Sequence, residues 1–183
     1  MRINEVSAAN GIYVNDYFKR NDWIELYNIT SEPVDVEGMY LSDNAKEPQK
    51  YQIQSSIFNL ESTVIPAHGY LIVWCDKLEP LNQLHASFKL DADGGEVLIT
   101  AADESWTDQL TYSQMKADET IGRYPDGSAD VITMNVPTIA AVNHASSYAV
   151  PVSQTMSIGD LVSNGSLTAY YAAGRIVITN SND

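Results

Sequence analysis

Short runs of β-forming residues, each ended by Gly, Pro, Asn or Asp, follow one another along this chain, and helical periodicity is scarce. That pattern restricts the fold to one in which many brief strands share a core. In Asp22-Trp23-Ile24-Glu25-Leu26-Tyr27-Asn28 the alternation lets Ile24 and Leu26 face a core while Trp23, Glu25 and Tyr27 share the other face. Val34-Asp35-Val36, Met39-Tyr40-Leu41 beyond Gly38, and Tyr51-Gln52-Ile53 supply shorter strands. Pro66-Ala67-His68-Gly69 punctuates the chain before Tyr70-Leu71-Ile72-Val73-Trp74-Cys75, whose nearly continuous apolar run suits a central strand. Residues 85–90 and 96–100 flank Asp91-Ala92-Asp93-Gly94-Gly95 and read as the arms of a hairpin. Leu110-Thr111-Tyr112 and Val131-Ile132-Thr133-Met134 bring the strands to at least seven. The expected fold is all-β, an antiparallel β-sandwich rather than a parallel α/β sheet.

A sandwich of this length, 183 residues, is one domain with room for a small appendage. Residues 137–143 close the main domain, expected over 1–143. The stretch 144–157 is low in charge and reads as a linker. In the remainder, 158–183, Ser163-Asn164-Gly165-Ser166 is a turn signal, and 167–171 with 175–179 flank Ala172-Ala173-Gly174 as a hairpin extension. About 40 residues make a weak core of their own. Cys75 is the only cysteine, so packing and backbone hydrogen bonds must hold the fold without an intramolecular disulfide.

Charge narrows the partners. Ten Lys and Arg against 24 Asp and Glu give a net charge of -14, which opposes nucleic acid and anionic membranes and leaves calcium or cationic surfaces compatible. No apolar run of 18 or more residues exists to span a bilayer as a helix. Residues 1–20 lack a signal-peptide core, and strand-like Arg2-Ile3-Asn4-Glu5-Val6 begins at once; an export segment is expected to have been trimmed from upstream.

Several segments together resemble the lamin tail domain of bacterial secreted proteins. They are Ile3-Asn4-Glu5-Val6, the Asp22 to Asn28 stretch, Gly38-Met39-Tyr40-Leu41-Ser42-Asp43, Gly69-Tyr70-Leu71, residues 85–90 with Gly95-Glu96-Val97, and Gly122-Arg123-Tyr124-Pro125-Asp126-Gly127. The resemblance implies an immunoglobulin-like sandwich without the inter-sheet disulfide, no catalytic residues, and a role in protein contacts. Where that family often shows Pro-Thr-Pro-Gly, this chain has Pro137-Thr138-Ile139-Ala140. The tail, with Tyr170-Tyr171-Ala172-Ala173-Gly174-Arg175-Ile176-Val177, looks like the opening of the C-terminal sorting segments of Bacteroidetes secreted proteins, which implies an extracellular or envelope location.

Candidate site residues each have a structural explanation. Asn4, Glu5, Glu25 and Asn28 sit where polar side chains can satisfy loop amides and stabilise bends, the role favoured over a ligand site. Arg123 is expected to pair with a carboxylate or stack on a ring, with Asp126 in the turn that follows. Asp91 and Asp93 occupy two early positions of a calcium loop, yet the third ligand and the distal Glu are missing, so a turn is the default and calcium the alternative. The three His residues and Cys75 never reach zinc-ligand spacing, and Cys75 reads as an inert core thiol. Tyr13, Tyr17, Phe18 and Trp23 make the best case for binding, since exposed rings on a rigid sandwich stack on sugars or anchor a protein interface. The expected function is a non-catalytic structural or interaction module with a protein or glycan partner at the cell surface. The alternative is a carbohydrate-binding module, calcium-assisted. Oligomeric state is left open.

Overall fold

The computed structural model describes residues 1–54, 62–77 and 84–144, together with the backbone of two strands near the C-terminus. The expected linker beyond His144, the Glu79-Pro80 loop and the Ser163-Asn164-Gly165 turn lie outside the described residues. A first compact unit spans Met1–Val150. Its strands are β1 (Arg2–Ser7), β2 (Asp22–Tyr27), β3 (Val34–Asp35), β4 (Tyr40–Ser42), β5 (Tyr51–Gln52) and β6 (Val64–Ile65), followed by β7 (Tyr70–Cys75), β8 (His85–Ala86), β9 (Gly94–Thr100), β10 (Thr107–Ser113), β11 (Thr120–Arg123) and β12 (Val131–Met134). One sheet has the order β12-β11-β1-β2-β7-β8, a second β10-β9-β4-β5, and β3 with β6 forms a short ribbon. Among the described residues the structure is all-β, and only β7 and β8 pair in parallel.

The expected alternation governs the core. Ile24 pairs with Val73 and Leu26 with Leu71 across β2 and β7, so their inward residues stack in rows. Leu41, Val97, Ile99, Leu110 and Tyr112 face them from the second sheet, and Phe88 fills the gap between. Each such aliphatic side chain contributes roughly 1.5–3 kcal/mol on burial, which makes up for the missing disulfide. Cys75 is buried in this cluster, and burial pushes its thiol well above the ordinary range.

One expected pairing is corrected. Residues 85–90 and 96–100 are not two arms of a hairpin: β8 adds to β7 in the first sheet, while β9 lies in the second. The segment between them crosses from sheet to sheet, tied by Leu90 N donating to Asp22. The hairpin partner of β9 is β10, paired from Thr100↔Thr107 to Gly94↔Ser113. Apolar content shows that both segments are strands, but not which neighbour each one takes.

The second compact unit, Pro151–Asp183, contains β13 (Ser166–Ala172) and β14 (Arg175–Ser181), an antiparallel hairpin in register from Ser166↔Ser181 to Ala172↔Arg175. This is the hairpin expected around Ala172-Ala173-Gly174.

Candidate functional site

The two sheets differ on their outer faces. Along β10 exposed Thr107, Gln109, Thr111 and Ser113 alternate with buried Asp108, Leu110 and Tyr112, the mark of a sheet with one wet face. Along β1 and β2 both faces are buried. A β-bulge arranges this. Ile3 pairs with Leu26 and Glu5 with Glu25, leaving Asn4 as the extra residue. Strict alternation would have sent Glu5 into the core with Ile3. The bulge keeps Ile3 and Val6 inside and turns Asn4 and Glu5 outward, beside Glu25.

The covering layer is the closing segment 137–143, bound through that polar face. Glu5 accepts from Thr120 Oγ1 (2.6 Å), Thr138 Oγ1 (2.6 Å) and Thr138 N. Glu25 accepts from Asn4 Nδ2 (2.9 Å) and from Ala140 N (2.7 Å). Asp126 accepts from Tyr70 Oη, from Asn4 Nδ2 and from Asn143 N, and Gly127 N donates to Asn4 Oδ1. Gly122 is obligatory beneath this layer: a Cβ there would come within 2.8 Å of Asn143 Nδ2 and 3.0 Å of Asn4 O. Asn28 does the same work at the far end of β2, donating to Ile65 O and Pro66 O and accepting from Thr30 N.

Electrostatically the Glu5 and Glu25 pair resembles an acid–base dyad. Burial raises both, Glu25 to about 8, with the neighbouring Glu5 carboxyl adding to the rise against the Asn4 hydrogen bond. It lacks access, since both side chains are fully buried beneath the closing segment. A substrate atom cannot reach either carboxyl without lifting that segment, so the arrangement functions as a clamp. Arg123 is likewise structural. Buried at 5% exposure, it pairs with Asp108 (3.1 Å) and donates to the carbonyls of Ile3, Ser128 and Gln109, joining β11, β1 and β10.

The aromatic set separates into two roles. Trp23, expected among the binding rings, is completely buried and must be removed from that set. It lies on the outward face of β2, where the edge of Tyr13 packs on it at 6.4 Å and the Tyr13 hydroxyl donates to Pro137 O. Packing therefore consumes Trp23 and holds Tyr13 half-buried. Tyr17 (41% exposed) and Phe18 (86% exposed) face solvent with Ile12 and Val14, a concentration of exposed apolar side chains within one loop.

That loop is rigidly built. Buried Asn15 accepts from Tyr17 N and Lys19 N with its side chain, its carbonyl accepts from Phe18 N, and its Nδ2 donates to Asp76. Buried His85 bridges the same anchor, Nδ1 at 2.7 Å from Asp76 Oδ2 and Nε2 at 2.8 Å from Asp16 Oδ1. Both contacts are hydrogen bonds when each ring nitrogen carries a proton. The Tyr17 ring packs edge-on against the same imidazole at 5.3 Å. Phe18 is held at φ 58°, a left-handed conformation that costs roughly 1–2 kcal/mol for a residue with a Cβ. A strained aromatic presented to water by a fixed turn is the feature of this surface that packing does not explain. Lys19 and Arg20 follow it, both exposed.

Sequence spacing could not find the His85 bridge, because its members lie 9 and 69 positions apart. Asp91 and Asp93 do not assemble a cation site: Asp91 Oδ1 accepts from Asp93 N and Asp93 Oδ1 from Gln114. No group of three or more metal-ligating side chains occurs among the described residues. Asp93 instead borders an open cleft of about 520 Å³ on the wet face of the second sheet, with Asp43, Glu96, Thr111 and Gln114 around it and Gly94 and Gly95 in its lining.

Comparison with known proteins gives one result. The family model described as Lamin Tail Domain matches residues 3–114. No curated protein and no solved structure matches the chain.

Proposed function

Because the chain belongs to the lamin tail domain family, a family of non-catalytic immunoglobulin-like domains, we propose that it is a protein-contact module whose contact surface is the loop spanning residues 12–20. The observation that carries this reading is Phe18, presented to solvent in a left-handed conformation by a turn that Asn15, Asp76 and His85 anchor. Apolar side chains clustered beside a rigid scaffold are what a protein interface uses as anchors. The module belongs, in this reading, to an exported or envelope-associated bacterial protein that mediates adhesion or spacing; the sorting-segment likeness of the C-terminal hairpin supports that location. No helix among the described residues is long and apolar enough to cross a membrane.

A photo-reactive benzoylphenylalanine at position 18 tests the surface. Incubated with envelope extract, this chain should give protein adducts, whereas the same label at Trp106, exposed near the β9–β10 turn, should give none. Equal labelling from both positions would refute the loop assignment. The carbohydrate reading has support in Tyr17 and Phe18 but loses Trp23 as a platform. Affinity electrophoresis against soluble polysaccharides, with calcium and then with chelator, should show no retardation. Retardation abolished by Tyr17→Ala would replace the protein-contact reading with the carbohydrate one.

A further inference from the structure

We propose that the tip of the 12–20 loop docks into the acidic cleft of the second sheet on another copy of this chain, an inference that rests on the loop being the contact surface. Two complementary surfaces on one molecule motivate it. The tip is Phe18 followed by Lys19 and Arg20, the only adjacent pair of cationic residues in a chain of net charge -14. Neither side chain takes an ion pair among the described residues. The cleft is its counterpart in sign. Asp43 is matched by Lys50 at 2.6 Å, but Asp93 and Glu96 are held only by amide donors, from Gln114, Gln109 and Ala45 N, so two negative charges face the opening without a cation.

Shape agrees with charge. Gly94, in register with exposed Ser113, carries no side chain at the cleft lining, which leaves room for a ring there, whereas a side chain on Gly95 would point at buried Tyr112 and not into the cleft. A space of about 520 Å³ accepts one aromatic side chain with a cationic head beside it. The net charge argues against an anionic membrane as the occupant, and an acidic peptide would meet the wrong sign at the cleft. Phe18 is 86% exposed, so the tip does not fill the cleft of its own chain.

Tip and cleft are different patches, so the contact is heterologous: an open assembly of any length keeps one free tip at one end and one free cleft at the other. A single loop seated in an open cleft buries little area, which places the association in the weak range and makes it depend on high local concentration.

Sedimentation equilibrium of the purified full chain over a wide concentration range should show reversible growth beyond the monomer. Lys19→Glu with Arg20→Glu should weaken it by about tenfold or more, as should Asp93→Lys with Glu96→Lys on the cleft. Mixing these two charge-reversed chains should restore association, because the reversed tip then meets a reversed cleft. Wild-type chain that stays monomeric throughout, or a mixture no more associated than its parts, overturns the proposal. The label at position 18 separates this from failure of the underlying reading. Adducts within 93–114 of a second copy support self-docking. Adducts formed only in envelope extract overturn self-docking and keep the loop as a contact surface, and adducts in neither sample overturn both.

Discussion

Glu25→Gln should abolish a loss of stability that the wild-type protein suffers as pH rises from 6 to 8. In the unfolded chain Glu25 has its ordinary value of 4.5 and is ionised throughout this interval; in the folded protein, burial, reinforced by the nearby Glu5 carboxyl, raises it to about 8. The folded state therefore holds one more proton than the unfolded state. Stability contributed by a raised group is complete below the unfolded value and is lost as pH climbs through the folded one. The slope is about 1.4 kcal/mol per pH unit where the difference is one full proton, and it fades near pH 8, so the linked loss between pH 6 and 8 is about 2 kcal/mol. Glutamine keeps the shape and has nothing to titrate. Its amide will meet the Asn4 amide less favourably than a carboxyl oxygen does, which adds a constant offset and no slope. Urea unfolding of both proteins at pH 6, 7 and 8 measures the difference directly. A slope of equal size in wild type and Glu25→Gln would refute the assignment of this titration to the clamp.

Other substitutions examine the rest of the framework. Ala140 sits at φ 55° in the closing segment, so Ala140→Gly should stabilise the protein by about 0.5–1 kcal/mol in thermal or urea unfolding, the relief of a left-handed Cβ less the added freedom of the unfolded chain. Val73→Ala, at a fully buried position of β7, should cost about 2–3 kcal/mol; a loss below about 1 kcal/mol would mean that the strand is not central. Asp108→Ala strands the buried Arg123 guanidinium with only carbonyl partners and should cost about 3–5 kcal/mol by the same measurement. His85→Gln should speed hydrogen exchange at the amides of Tyr17, Phe18 and Lys19 while leaving β9 and β10 protected, because the bridge anchors the loop and touches neither strand.

Period-two alternation revealed β2, and the unbroken apolar run revealed β7, because in each case the face a residue takes follows from its neighbours in sequence. Pairing does not follow in that way. Nothing local to His85 and Ala86 announces a parallel partner in β7, and the turn-rich Asp91 to Gly95 stretch served a sheet crossing as well as it would have served a hairpin. β11 escaped notice because Thr120-Ile121-Gly122-Arg123 offers a single large apolar residue, its glycine being needed under Asn143. The polar residues Asn4, Glu5, Glu25 and Asn28 could be picked out as bend-stabilising, but the convergence of the first three on residues more than a hundred positions away could not. Among the aromatics, exposure depended on loop packing that sequence spacing does not reveal: Tyr13 packs on buried Trp23, while Phe18 stays 86% exposed.

The closing segment also governs the order in which this protein can become itself during synthesis. Glu5 and Glu25 are made more than a hundred residues before their partners Thr138 and Ala140, and β11, which lies against β1, comes between. A nascent chain that has reached residue 114 has every strand of the second sheet and still exposes one edge of β1 with two carboxylates on an uncovered face. A truncation at that point should leave a sticky, acid-lined edge rather than a smaller domain. Residues 137–143 thus act as the unit's proof of completion, since only a chain long enough to lay them down conceals what β1 and β2 expose.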